Sequence, residues 1–371
     1  MLNVARARAE VDLGALERNY RAIRQRVADG VRVLCVVKAD AYGHGAQAVA
    51  KKYEELGADY FGVATVDEGM DLRDGGVTTP VLVMSGIMPW DDVDSFVEQG
   101  LVPAVSSFAM LERLSGVCRK GRATVHVKVD TGMGRLGFSH EEVPELIERL
   151  KISPAIDVEG LMTHFPSSER IDAYGREQVT RFRSVVDLFR QNGIEPKLVH
   201  MANSGAVVNY PEAHFDMIRP GIMMYGSYPD PRLRERLVLE PVMALRSHVA
   251  VVRQFATGTG LSYGGTFVTE RTTRVAYVPV GYADGYPRAL SNKGAVLVRG
   301  KRCRLLGRVC MDWILADVTD LPDVAPGEDV TLLGGRDDDV ITANEMAEMV
   351  GTIPYEILCG VSRRIARVYV H

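Results

Sequence analysis

Two lysines stand at the ends of apolar runs, where an amine could serve covalent or acid–base chemistry. Lys38 follows the run Val31–Val37, and Lys128 lies within the run Thr124–Val129. Burial disfavours the charged form of a lysine and lowers its pKa, so an amine in such a place can form a Schiff base with an aldehyde. Lys38 could equally reach solvent at the end of its strand or pair with Asp40. Neither lysine alone specifies a reaction.

Residues suited to binding an anion follow the other apolar runs. Arg135 comes shortly after Lys128, and two neighbouring cations need an anion between them. Ser204 and Gly221 follow two later runs, where small residues and a hydroxyl could bind a phosphate through backbone N–H groups and a helix N-terminus. Taken singly, Ser204 could be a helix cap and Gly221 part of a turn.

The combination of these residues predicts a site for pyridoxal 5′-phosphate. Lys38 would hold the aldehyde, and Ser204 with Gly221 would hold the phosphate. Arg219, which lies close to Gly221 in the sequence, would contact the ring nitrogen of the cofactor and set the electronic character of its ring. No zinc or other metal site is expected, because the five cysteines form no C-x-x-C pair and the eight histidines are not paired at metalloprotease spacing.

Eight short apolar runs precede these clusters and alternate with amphipathic segments. Strands that alternate with helices are typical of a parallel sheet buried on both faces, and eight such units in about 230 residues predict a (β/α)₈ barrel. Catalytic residues of such a barrel lie at the C-terminal ends of its strands. An open doubly wound sheet is the structural alternative. The runs are Val31–Val37, Tyr60–Ala64, Val81–Met84, Leu101–Val105, Thr124–Val129, Val158–Met162, Leu198–Met201 and Phe215–Ile218.

The pattern changes after Glu240 to valine- and threonine-rich runs separated by turn residues, which predicts a mainly antiparallel β domain. Pro229 and Pro231 mark the boundary, so we predict a barrel over 1–235 and a β-rich domain over 236–371. The predicted strands are Ala244–Val252, Arg274–Val280, Ala295–Val298, Cys303–Leu306, Ile314–Val318 and Val330–Leu333.

Composition excludes several classes of protein. The 371 residues carry a net charge of −4, which gives no basic surface for nucleic acid or an anionic membrane. The sequence contains neither an apolar run long enough to span a membrane nor a secretion signal at its N-terminus. Five scattered cysteines predict no disulfide framework. We therefore expect a cytoplasmic enzyme.

Several motifs then resemble those of alanine racemases. The run VVKADAYGHG around Lys38 is similar to the cofactor-attachment signature of that family, and the resemblance covers both predicted domains, with the motifs in order. The resembling segments are Val36–Gly45, Asp130–Gly137, Arg219–Ile222, Gly260–Gly264, Gly281–Gly285, Gly307–Asp312 and Tyr355–Glu356.

The resemblance implies a role for each matched residue. Lys38 and Tyr263 would be the two acid/base groups, acting on opposite faces of the substrate Cα, with Lys38 also carrying the cofactor. Arg219, supported by His164, would contact the pyridine nitrogen. Arg135 would contact the cofactor and, with the Met311 N–H, the substrate carboxylate. The phosphate ligands would be Tyr42, Ser204, Gly221, Ile222 and Tyr355. Tyr282 and Tyr355 would narrow the substrate entrance.

The resemblance also implies the biological setting. The reaction would interconvert L-alanine and D-alanine and supply D-alanine for peptidoglycan, in a head-to-tail homodimer with shared active sites. Lys128 would be carbamylated, which would turn a cation beside Arg135 into an anion.

Three other classes of protein have a similar barrel with a lysine at this position. A pyridoxal-phosphate carrier protein normally has no second domain. A decarboxylase of this architecture would need a cysteine-bearing motif, and neither Cys310 nor Cys359 lies in a matching context. A broad-specificity racemase is typically exported and carries a disulfide.

Overall fold

The computed structural model describes residues 5–117, 122–335 and 339–371. Within these ranges, no helix combines the length and the apolar character needed to cross a membrane. Cys118 lies outside the described residues, and the other four cysteines are free thiols.

Strand β1 (Ala7–Asp12) and helix α1 (Leu13–Arg24) precede an eight-stranded sheet. Its strands are β2 (Arg32–Val36), β3 (Tyr60–Val63), β4 (Val81–Val83), β5 (Leu101–Val105), β6 (Ala123–Lys128), β7 (Ile156–Met162), β8 (Leu198–His200) and β9 (Met217–Ile218). The helical segments along it are α2 (Lys38–Gly43), α3 (Ala46–Glu55), α4 (Val66–Asp74), α5 (Val93–Glu98), α6 (Phe108–Val117), α7 (Val143–Lys151), α8 (Ala173–Gln191) and α9 (Ser204–Asn209).

The sheet is parallel and curls into a barrel, which confirms the predicted fold class. β9 pairs with β2, and it meets β8 through hydrogen bonds from Asp216 N to Val199 O (2.9 Å) and from Arg219 N to Ala202 O (2.8 Å). Strands such as β4 are buried along their whole length because the helices cover one face and the barrel core fills the other. Apolar runs without alternation therefore suit this position.

A mainly antiparallel β domain follows, as predicted. Its largest sheet has six strands in the order β16-β15-β18-β10-β1-β19, and two smaller sheets have the orders β11-β14-β17 and β12-β13. The strands are β10 (Met243–His248), β11 (Val251–Phe255), β12 (Gly260–Leu261), β13 (Phe267–Val268), β14 (Thr273–Val278), β15 (Ala295–Val298), β16 (Lys301–Arg304), β17 (Ile314–Asp317), β18 (Asp329–Leu333) and β19 (Ala366–Val370). Helices α10 (Ala343–Val350) and α11 (Pro354–Cys359) lie between β18 and β19.

Two features of this domain differ from the sequence-based expectation. The run Ala244–Val252 was expected to be one strand, but it contributes to β10 and β11, which belong to different sheets. Strand β1 was not expected at all, and it pairs with β10 and β19 although it precedes the barrel. Both differences depend on pairing partners that are distant in sequence. The division into 1–235 and 236–371 stays a prediction.

Candidate active site

A cavity of about 380 Å³ opens among residues that follow the barrel strands. It brings together residues from the ends of β2, β7, β8 and β9 and one residue from α11. The predicted site residues that line it are Lys38, Tyr42, His164, Ser204, Arg219, Gly221, Ile222 and Tyr355.

The turn that carries Lys38 has an unusual backbone. Four consecutive residues, Ala39–Tyr42, adopt left-handed conformations with φ between 52° and 54°. Such conformations cost roughly 1–2 kcal/mol for each non-glycine residue, because Cβ crowds the following carbonyl oxygen. Lys38 begins this turn and Tyr42 ends it, so the turn sets where both side chains enter the cavity.

Ser204, Gly221, Tyr42 and Tyr355 converge at one end of the cavity. Gly221 N donates to Ser204 Oγ at 2.9 Å. A Cβ at position 221 would collide with the Tyr42 hydroxyl, so glycine is required for this close approach. The rings of Tyr42 and Tyr355 lie 5.9 Å apart between centroids. Hydroxyl and backbone N–H groups therefore gather where the sequence predicted a phosphate.

Arg219 is fixed in the wall of the cavity by neutral acceptors. Its NH2 group donates to Thr163 O at 2.7 Å and to Met201 O at 3.2 Å. Its NH1 group lies 2.9 Å from His200 Nδ1, and NH2 lies 3.3 Å from His164 Nδ1. Burial lowers the pKa of Arg219 to about 9, so the guanidinium is charged at neutral pH. No carboxylate of the described chain forms an ion pair with it.

The cavity carries an excess of positive charge. Burial, together with the nearby Arg135 guanidinium, lowers the pKa of Lys38. Burial and the charges of Arg135 and Arg219 lower the pKa of Lys128 to about 8. Burial and the same cations hold the pKa of His164 well below its usual value, so this imidazole is neutral. A site of this kind favours an anionic ligand.

Five predicted residues do not line this cavity within one chain, and three of them belong to the β domain. The other two, Lys128 and Arg135, lie close enough to Lys38 for their charges to interact with it. Tyr263, Tyr282 and Met311 lie on loops of the β domain, and their exposed fractions are 69%, 42% and 53%. The loops adjoin, because Tyr282 N donates to Cys310 O at 2.9 Å. Tyr263 lines a separate hollow beside Trp313. A single chain therefore presents these side chains to solvent and not to Lys38.

Three contributors to the site were not singled out from the sequence. His200 holds Arg219 and is itself held by His126, with His126 Nδ1 lying 2.8 Å from His200 Nε2. Glu68 hydrogen-bonds the peptide that follows Lys38. The two histidines lie on barrel strands among apolar residues, and that placement was the available signal. The spacing of Thr65 and Glu68 matches a capping box, which indicates a helix start but no contact with the turn after Lys38.

Comparisons with known proteins agree along the whole chain. Residues 11–229 match the sequence model of the alanine racemase N-terminal domain, and residues 242–369 match that of the C-terminal domain. An alanine racemase of Geobacter sp. is 44% identical over 369 residues, covering 97% of each chain. One of Geobacter sulfurreducens is 43% identical over 370 residues, covering 98% of this chain and 97% of the relative.

Solved structures give the same result. Alanine racemase from D-cycloserine-producing Streptomyces lavendulae superposes with a TM-score of 0.94 at 35% identity, covering 99% of this chain and 97% of that one. Alanine racemase from Streptomyces coelicolor superposes with a TM-score of 0.93 at 38% identity, covering 99% of both chains. The shared fold, the match of both domains and the extent of sequence identity show that this chain belongs to the alanine racemase family.

Proposed function

We propose that this chain interconverts L-alanine and D-alanine with pyridoxal 5′-phosphate, the cofactor on which its family depends. The observation that carries the proposal is that Lys38, Arg219 and the Ser204–Gly221 pair line one cavity. We further propose that it works in the cytoplasm and supplies D-alanine for peptidoglycan. The barrel over 1–235 would bind the cofactor, and the β domain over 236–371 would carry the second base.

The chemistry of the cavity fits this cofactor. Arg219 is a buried cation without a carboxylate partner in the described chain, and the hydroxyls of Tyr42, Ser204 and Tyr355 gather beside Gly221. These hydroxyls and the backbone N–H groups of Gly221 and Ile222 would hold the phosphate. When bound to an amino acid, pyridoxal phosphate withdraws electrons and so weakens the Cα–H bond.

Side chains of this protein would then transfer the Cα proton, bind the ring nitrogen and bind the substrate carboxylate. Lys38 Nζ would exchange the Cα proton on one face, and its lowered pKa favours the neutral amine that a base requires. Arg219 would donate to the ring nitrogen and keep its own proton, with His164 supporting it, so the ring would withdraw electrons less strongly and side reactions would be limited. Arg135 and the Met311 N–H would hold the substrate carboxylate.

Tyr263 would act on the opposite face from a second copy of the chain. Its exposure, together with that of Tyr282 and Met311, supports a head-to-tail homodimer, because one chain alone leaves these side chains away from Lys38. Within such a dimer, Tyr282 and Tyr355 would narrow the entrance and exclude large side chains.

The proposed function predicts racemisation by the purified protein. L-alanine incubated with it should approach an equal mixture of enantiomers, because their free energies are equal, and D-alanine can be measured with a coupled oxidase. The protein should absorb near ~420 nm, and borohydride should remove this band and modify Lys38. Protein that carries pyridoxal phosphate on Lys38 but forms no D-alanine would contradict the proposal.

Lys128 is predicted to carry a carbamate formed with dissolved carbon dioxide. Carbamylation needs a neutral amine, and a pKa of about 8 leaves an appreciable neutral fraction at neutral pH. The resulting anion would hold Arg135, which Lys128 would otherwise repel. We expect a ¹³C carbamate signal after exposure to labelled bicarbonate, weakening as the pH falls well below 8. Lys128→Ala should lose the signal, while Lys151→Ala, at an exposed position, should retain it. A signal that persists in Lys128→Ala would contradict the assignment.

A further inference from the structure

Glu68 ties the turn that follows Lys38 to the neighbouring barrel strand. Its Oε1 accepts the Ala39 N–H at 2.7 Å, and its Oε2 accepts the Ala64 N–H at 2.7 Å. Ala64 directly follows β3, and Ala39 directly follows Lys38. One carboxylate therefore connects the ends of two adjacent strands at the position from which Lys38 enters the cavity.

The same carboxylate is held rigidly by its own helix. Glu68 lies in the first turn of α4 and forms a capping box with Thr65, whose Oγ1 accepts the Glu68 N–H at 3.3 Å. This arrangement fixes the Glu68 backbone and limits the freedom of its side chain. Glu68 therefore offers the turn a firm attachment point.

The left-handed turn depends on contacts of this kind. The left-handed conformation of its four non-glycine residues is unfavourable by itself, so hydrogen bonds from outside the turn must stabilise it. From the second residue of the turn, Asp40 Oδ1 accepts the Ala46 N–H at 2.8 Å, which fixes the turn to α3. At its near end, the Ala39 N–H donates to Glu68, one peptide away from the Lys38 Cα.

We infer that Glu68 is a positioning residue for Lys38, whose carboxylate fixes the start of the left-handed turn and so the direction from which the Lys38 amine meets the cofactor and the substrate Cα. The inference rests on the proposed function, in which Lys38 carries the cofactor and exchanges a proton. Glu68 does not line the cavity around Lys38, so its effect would be indirect.

The charge of Glu68 has a second consequence for Lys38. Burial and Arg135 lower the pKa of the Lys38 amine, and the Glu68 carboxylate opposes them. Removing the negative charge of Glu68 should therefore lower the pKa of the Lys38 nitrogen further. A change in protonation would therefore accompany the change in geometry.

The test compares Glu68→Gln with Asp67→Asn in the holoenzyme. Glutamine keeps the size of the side chain but offers one acceptor oxygen, so either Ala39 or Ala64 loses its partner. Asp67 occupies the same helical turn, is exposed, and its replacement removes the same charge from the helix N-terminus. The control therefore removes the same charge from the start of α4 without changing the contact at Ala39 or the charge that acts on Lys38.

We expect three differences between the two variants. In Glu68→Gln, kcat should fall about 10²-fold while KM changes little, because small misplacements of a reacting group have effects of this size. The pH midpoint of the cofactor absorbance should move to lower pH. Amide hydrogen exchange in the peptide that spans Lys38–Gly45 should accelerate. Asp67→Asn should match the parent in all three measurements.

A third variant separates positioning from general loss of stability. Asp92→Ala removes the N-terminal cap of α5, which does not line the cavity, so it destabilises the barrel without changing Glu68 or the turn after Lys38. If Asp92→Ala shifts the pH midpoint and kcat as much as Glu68→Gln does, the effect is structural and the inference is wrong. It is also wrong if Glu68→Gln behaves like Asp67→Asn. A parent enzyme without pyridoxal phosphate on Lys38 would instead overturn the proposed function.

Discussion

Replacing Lys38 with alanine is expected to abolish racemisation, with a loss of at least about 10⁴-fold in kcat/KM. The variant loses both the covalent attachment of the cofactor and the base on one face of the substrate. The fold should survive, because Lys38 lies at the end of a strand and lines a cavity, where its side chain adds little to the core. The measurements are D-alanine formation, the cofactor absorbance band and the thermal midpoint.

A matched control is available on the next helix. Lys51 is an exposed lysine of α3, so Lys51→Ala removes the same charge and length from a position outside the cavity. This control should keep the activity, absorbance and thermal midpoint of the parent. Activity of Lys38→Ala within tenfold of the parent, measured without added amine, would contradict the assignment of Lys38.

Replacing Tyr263 with phenylalanine should block proton transfer on one face only. Racemisation is expected to fall by about 10³-fold, because an acid–base group that acts on the Cα proton is lost. Lys38 remains and should still exchange the α-proton of one enantiomer, for which we expect D-alanine. NMR in deuterated solvent measures the loss of the α-proton signal for each enantiomer separately.

The outcome distinguishes a two-base from a one-base mechanism. Tyr277→Phe is a suitable control, since Tyr277 lines the same hollow of the β domain and has no proposed role. It should racemise and exchange like the parent. Equal exchange of both enantiomers by Tyr263→Phe would exclude the two-base assignment.

The same pair of variants also tests the shared site. If Tyr263 serves the Lys38 of a second copy, mixing Lys38→Ala with Tyr263→Phe subunits creates one site per mixed dimer that has both groups. After complete exchange of equal amounts, about one quarter of all sites should be competent, because half of the dimers are mixed and each has one good site of two. A mixture that remains inactive after proven exchange would rule out shared sites.

Much of the site could be predicted because its residues come directly after the C-terminal ends of barrel strands. Unbroken apolar runs indicate strands buried on both faces, and parallel strands in a barrel bring their C-terminal ends to one side. Lys38, Ser204 and Arg219 therefore had to lie near one another, and the structure places them around one cavity. The polar residues that follow the runs then specify the chemistry.

Other features depend on contacts that no local pattern encodes. Strand β1 joins the C-terminal sheet because its ladder partners lie in β10 and β19, more than 200 residues away. The run Ala244–Val252 divides between two sheets for the same reason, since its two halves find different partners. Hydrophobic periodicity shows which residues are buried, but it does not identify the strands that cover them.

The order of apolar runs and turn residues specified the fold class and the types of residue at the strand ends. How Lys38 is held, and which side chains reach it, depends on contacts that form in the folded chain. The left-handed turn after Lys38 is locally unfavourable, and Glu68, a residue 29 positions away, holds its first peptide. Tyr263 is exposed in one chain, although its motif gave no sign of this. Backbone strain and solvent exposure are consequences of contacts between distant segments, so local sequence cannot determine them.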